Sequence, residues 1–174
     1  MMALFGEPAP DFSDPIGLLA ACHQRILDHC DLLERMREQL PQQGVDADMQ
    51  QAARRVARYF SQAAAQHHAD EEQDLFPLLH DVTDLAGTLA ALAEEHGELD
   101  GCWQALAPSL SALEQGRPPG DWEGPLERFV TLYRNHVERE NQTVLPAARA
   151  HLDAGQLAGM GRAMAQRRGL RVSE

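Results

Sequence analysis

Four stretches of this chain repeat apolar residues at steps of three and four, and each of those stripes is broken by a histidine. Such spacing gives a helix one buried face, so the chain must place polar rings inside its own core. The first stripe reads Ile16, Leu19, His23, Ile26, Cys30 and Leu33, and the second Val56, Phe60, His67, Glu71 and Leu75. The third reads Leu89, Leu92, His96, Leu99 and Leu106, and the fourth Phe129, Tyr133, His136, Glu140 and Val144. Punctuation by Pro, Gly and Asp predicts helices over 15–40, 47–79, 84–114 and 122–150, with a bend near Pro108 and a break near Pro146. Asp14 is the expected N-cap of the first, with Pro15 at its first position. A short fifth helix is expected over 153–168, capped by Asp153 with Gln156 three residues on. The predicted fold class is all-α, an up-down-up-down four-helix bundle with a short C-terminal fifth helix. The expected organisation is an N-terminal extension over 1–13, the bundle over 14–150, and a C-terminal helix with a basic tail over 151–174. Arg167 and Arg168 are expected at a solvated helix end, near the negative pole of its dipole.

The stripes contain a duplication. The first and third match at a constant offset of 73, His23 falling on His96. The second and fourth match at an offset of 69, His67 on His136, Glu71 on Glu140 and Pro77 on Pro146. Each half of the chain is a helical hairpin that supplies one lone histidine and then one His-x-x-x-Glu. Residues four apart share a helix face, so each glutamate lies beside its histidine.

Two bare carboxylates buried in a core would cost several kcal/mol each without compensation. Cations compensate them. Carboxylates can bridge two metals, and neutral imidazole suits iron. The residues therefore point to a metal site of His23, His67, Glu71, His96, His136 and Glu140, with a dry polar network as the alternative. His68 and Glu72 fall on a more polar flank and are expected behind the site or exposed. His29, His80 and His151 are expected at the surface.

Composition removes other functions. There are 15 basic residues, all arginine, against 27 acidic ones, for a net charge of −12, which opposes nucleic-acid binding. No apolar run approaches the roughly 18–20 residues of a membrane span. The opening MMALFGEPAPDFSDP lacks the basic and apolar regions of a secretory signal. Cys22, Cys30 and Cys102 form no CxxC pair and are expected as reduced thiols in a cytoplasmic protein. No HExxH, GxSxG, phosphate-binding glycine loop or Glu-x-x-His occurs, so zinc protease, serine hydrolase, nucleotide and ferritin-like readings have no support.

The segments DPIGLLAACHQRI, HHADEEQDLFP, EEHGELD and HVERENQTVLP resemble the hemerythrin-like (HHE cation-binding) family over about residues 14–147. The resemblance implies two non-heme iron ions, joined by an oxo or hydroxo bridge, inside a four-helix bundle. It implies that His23 and His67 hold one iron, that His96 and His136 hold the other, and that Glu71 and Glu140 bridge them. Oxygen-carrying members have a further histidine one turn after the third-helix histidine; here that position is Asp100, a candidate seventh ligand or neighbour of the site. The four-histidine, two-glutamate set is similar to that of the repair-of-iron-centres proteins, which carry a further cysteine-bearing N-terminal segment.

These residues admit three functional readings. The first is a cytoplasmic di-iron protein that binds a small diatomic ligand, dioxygen or nitric oxide, for sensing, scavenging or storage. The second is a di-iron oxidoreductase or iron-centre repair protein, since an open iron position can activate a ligand. The third is a metal-free helical interaction module with a polar core.

Overall fold

A computed structural model describes residues 11–170. Residues 1–10 of the expected extension and 171–174 of the expected basic tail lie outside the described residues. The fold is all-helical, and no strand occurs among the described residues. The first rod is α1 (Pro15–Gln43), and the second is built from α2 (Ala47–Arg58), α3 (Ala64–Asp70) and α4 (Phe76–Leu79). The third is α5 (Ala86–Glu114), the fourth α6 (Glu123–Arg139) with α7 (Leu145–His151), and α8 (Ala154–Arg167) comes last. α1 packs against α2 and α6, and α5 packs against the same two, so the four long rods enclose one interior.

The helix starts obey the local chemistry. Asp14 Oδ1 accepts from the Gly17 N–H at 2.9 Å. A side chain at Gly17 would collide with that carboxylate, since its Cβ would lie 2.0 Å from Asp14 Oδ2. Asp153 and Gln156 form the expected reciprocal capping box at the start of α8. The third helix starts two residues later than expected, at Ala86, because Asp84 takes a left-handed φ of 67°. Pro41 and Pro108 sit inside α1 and α5 without ending them.

The expected break near Pro146 does not occur. The backbone instead widens into a π turn over Glu140–Val144 and resumes as α7, with Pro146 in its first turn. The same happens over Glu71–Leu75, succeeded by α4 with Pro77. Each proline follows directly on the widened turn, whose i→i+5 bonds, Leu145 N–H to the Glu140 carbonyl and Phe76 N–H to that of Glu71, carry the rod past it. The duplication thus extends to the backbone, and both glutamates open a π turn, a form enriched at functional sites. A third π turn, Tyr59–Ala63, occurs in the second rod, while its counterpart in the fourth rod lies within α6.

The core has two apolar parts. One gathers Ile26, Leu33, Val56, Phe60, Leu106 and Phe129 with their neighbours. The other gathers Ile16, Leu19, Leu75, Leu92, Val144 and Met160 with theirs. Between them, at the level of His23 and His96, lies the layer of histidines and glutamates.

Two sequence expectations are corrected. His29 is buried, with Nδ1 at 2.7 Å from the Arg25 carbonyl and its ring stacked on Tyr59 at 4.0 Å. Half of the imidazole is satisfied within its own helix and the other face is covered by an aromatic ring, so a core position costs it little. Arg167 and Arg168 are not a solvated helix end. Arg168 Nη2 reaches Asp70 Oδ2 at 2.6 Å, Arg167 Nη2 reaches Asp74 Oδ2 at 2.9 Å, and Arg167 Nη1 also pairs with Asp70. Asp70 is fully buried, and a buried carboxylate needs such partners. His80 and His151 are exposed, and the three cysteines are unpaired. No described helix is long and apolar enough to cross a membrane.

Replacing Arg167 and Arg168 together by alanine leaves the Asp70 charge buried without a cation. The expected cost is about 3 kcal/mol, read as a lower midpoint in urea denaturation at neutral pH, with Asp70→Asn in that background recovering most of it. An unchanged midpoint would show that the clamp contributes nothing.

Candidate metal centre

Four rods each bring one histidine to the same level, and all four rings are buried: His23, His67, His96 and His136. Glu71 and Glu140 lie among them at 1% and 0% exposure, each at the first residue of its π turn. Two groups of four converging ligand atoms result, with all atoms in each group within 4.8 Å of one another. One is His23, His67, Glu71 and Glu140; the other is His96, His136, Glu71 and Glu140. The glutamates belong to both.

The carboxylates divide their oxygens between the groups. Glu71 Oε1 faces His67 Nε2 at 3.3 Å and His23 Nε2 at 3.5 Å, while its Oε2 faces His96 Nε2 at 3.4 Å. Glu140 Oε2 faces His23 Nε2 at 3.1 Å, while its Oε1 faces His136 Nε2 at 3.3 Å. The Nε2 atoms of His96 and His136 approach each other to 3.1 Å.

These short approaches are not hydrogen bonds for the glutamates. All four oxygens of Glu71 and Glu140 are buried without a hydrogen-bond partner, as are His23 Nε2 and both nitrogens of His67. Buried polar atoms almost always find partners. Unpaired acceptors that point at common centres are the arrangement a cation satisfies, and neutral imidazole with carboxylate is a donor set for divalent transition metals. The residues present therefore fit the metal the sequence implied.

The charges of the bare site agree. Burial alone would drive the His23 imidazolium to lose its proton, but Glu140 and Glu71 outweigh it and raise its pKa to about 10. At His67 burial wins and the pKa falls. Burial opposes the charge on Glu71, but the surrounding histidines hold its carboxyl well below the usual range. The two buried carboxylates thus draw positive charge toward their centre.

Behind the ring sit residues that orient it. His23 Nδ1 donates to Asn141 Oδ1 at 2.7 Å, His96 Nδ1 to Glu72 Oε1 at 2.6 Å, and His136 Nδ1 to Glu95 Oε2 at 2.9 Å. A proton held on Nδ1 leaves the Nε2 lone pair free to face the centre. Glu72 stands where the sequence put it, behind the site. Asn141 and Glu95 were missed. The offset of 69 that pairs Glu71 with Glu140 also pairs Glu72 with Asn141, a signal that would have found the latter.

Of the two places expected for His68, behind the site or in solvent, it takes the first: it is buried. Its Nε2 lies 3.2 Å from the Tyr133 hydroxyl, and its ring stacks on His96 at 3.9 Å with 11° between planes. An imidazole lone pair lies in the ring plane, and two parallel stacked planes share no point. His68 and His96 therefore cannot aim at one ion in this arrangement, although one nitrogen of each, with one of His136, lies within 4.8 Å of the others. Asp100 is exposed on α5 and joins neither four-residue group.

Comparison with known proteins agrees with this geometry. The family described as hemerythrin HHE cation binding domain matches residues 14–148. An uncharacterized protein of Haemophilus influenzae is 30% identical over 169 residues, covering 97% of this chain and 98% of the relative.

Because Asp100 faces solvent, Asp100→Asn should leave the number of metal ions per chain unchanged, measured by elemental analysis after reconstitution. A loss of metal would mean that Asp100 turns inward to ligate.

Proposed function

This chain belongs to the hemerythrin HHE cation-binding family, and on that premise we propose that it is a non-heme di-iron protein that binds dioxygen or nitric oxide for sensing, scavenging or storage. The observation that carries the reading is the division of each buried carboxylate between two histidine pairs. In this reading His23 and His67 hold one iron, His96 and His136 hold the other, and Glu71 and Glu140 bridge them. The rods run up, down, up and down around the pair. When bound, iron supplies a redox-active cation with room in its coordination for a diatomic molecule.

The chain's own residues prepare that binding. Asn141, Glu72 and Glu95 fix the ring orientation and tautomer of three histidines. Phe76 lies parallel to His96, with 12° between planes and 6.0 Å between centroids. Together with the apolar halves on either side, it keeps bulk water from the centre. Exposed Asp100 contributes no ligand in this reading, so four histidines and two glutamates leave the coordination incomplete. Three unpaired thiols fit a reducing compartment such as the cytoplasm.

Anaerobic reconstitution with ferrous iron should give about two ions per chain and raise the melting temperature, because a ligand that binds only the folded state stabilises it. Titration with nitric oxide or dioxygen should then change the visible spectrum reversibly. A chain that takes up no metal would sink the proposal, and catalytic consumption of the gas would move the reading to an oxidoreductase.

A further inference from the structure

The two hairpins repeat the same three inward residues, but not what stands behind them. The offset of 69 sets Glu72 against Asn141, and the offset of 73 sets Glu95 against Cys22. On the His96/His136 side, both Nδ1 atoms donate to carboxylates, Glu72 at 2.6 Å and Glu95 at 2.9 Å. Glu95 is in turn held by Arg139 at 2.5 Å. On the His23/His67 side, His23 Nδ1 meets only the neutral amide oxygen of Asn141 at 2.7 Å. His67 Nδ1 is buried and has no partner among the described residues. Asp70, adjacent to Glu71, adds no free charge there, because Arg167 and Arg168 neutralise it.

A carboxylate that accepts from Nδ1–H draws the proton toward itself and raises the electron density at Nε2. It also adds a negative charge close to the cation, a contribution that the Arg139 ion pair reduces at Glu95, where the bond from Nδ1–H carries the effect. An amide oxygen does less. Partners of this kind change metal affinity by about 10–100-fold. Glu72 is 45% exposed and solvent screens it, whereas Glu95 is 17% exposed, so Glu95 should carry the larger share.

We propose that the two metal positions are unequal because of these partners: the position between His96 and His136 fills first and holds its ion tightly, and the position between His23 and His67 is the weak, exchangeable one. The inference rests on the two-ion reading above, and it concerns order and affinity rather than number.

Cobalt(II) is the probe. Metal-free protein titrated with cobalt and monitored by absorption and calorimetry should show two resolved steps. Crystals loaded with one equivalent should show anomalous density between His96 and His136. Glu95→Gln should weaken the first step by about 10–100-fold and move the second little. Asn141→Asp should strengthen the second step and narrow the gap, and it carries the test should Glu95→Gln not fold. Even occupancy at one equivalent, a first ion beside His67, or equal weakening of both steps by Glu95→Gln overturns the inference while leaving two ions per chain intact. Uptake of fewer than two ions overturns the two-ion reading and this inference with it.

Discussion

Two carboxylates enclosed among four imidazoles, with none of their four oxygens hydrogen-bonded, are the constraint around which this molecule is arranged. An apolar core does not tolerate them alone. Every rod therefore carries one histidine at the same height, and the apolar contacts are pushed to either side of that height. The bundle is stabilised by its two apolar parts and given its purpose by the layer between them, which a cation completes.

The backbone serves the same layer. Each glutamate begins a π turn, and each π turn leads into a resumed helix with a proline in its first turn. The widened turn inserts a residue where a regular helix would meet the proline ring. That the same device stands at the same place in both hairpins is evidence that the duplication is one of structure and not of amphipathic pattern alone.

Much of this was legible in the sequence. Steps of three and four located the rods, Asp14 and Asp153 marked two starts, and polar residues in apolar stripes singled out the six inward side chains. The features that escaped depended on contacts between distant segments or on departures from the regular helix. His68 lies between two π turns, and one inserted residue rotates the remainder of a helix by about 100°, so a regular register left open whether it lies behind the site or in solvent. Asp70 and the two arginines are almost a hundred residues apart, and no local pattern joins them. Pro146 read as a break because a one-dimensional rule does not include a turn that widens to admit it.

The division of the core has a consequence for how the chain opens. Helical proteins usually fray from their ends, where few contacts hold the backbone. Here the least satisfied groups lie at mid-height, between two apolar clusters that each draw on all four rods. Without a cation the molecule is a dumb-bell, firm at both ends and weakest at its waist. Slow hydrogen exchange should persist above and below the histidines while the amides around Glu71 and Glu140 exchange sooner.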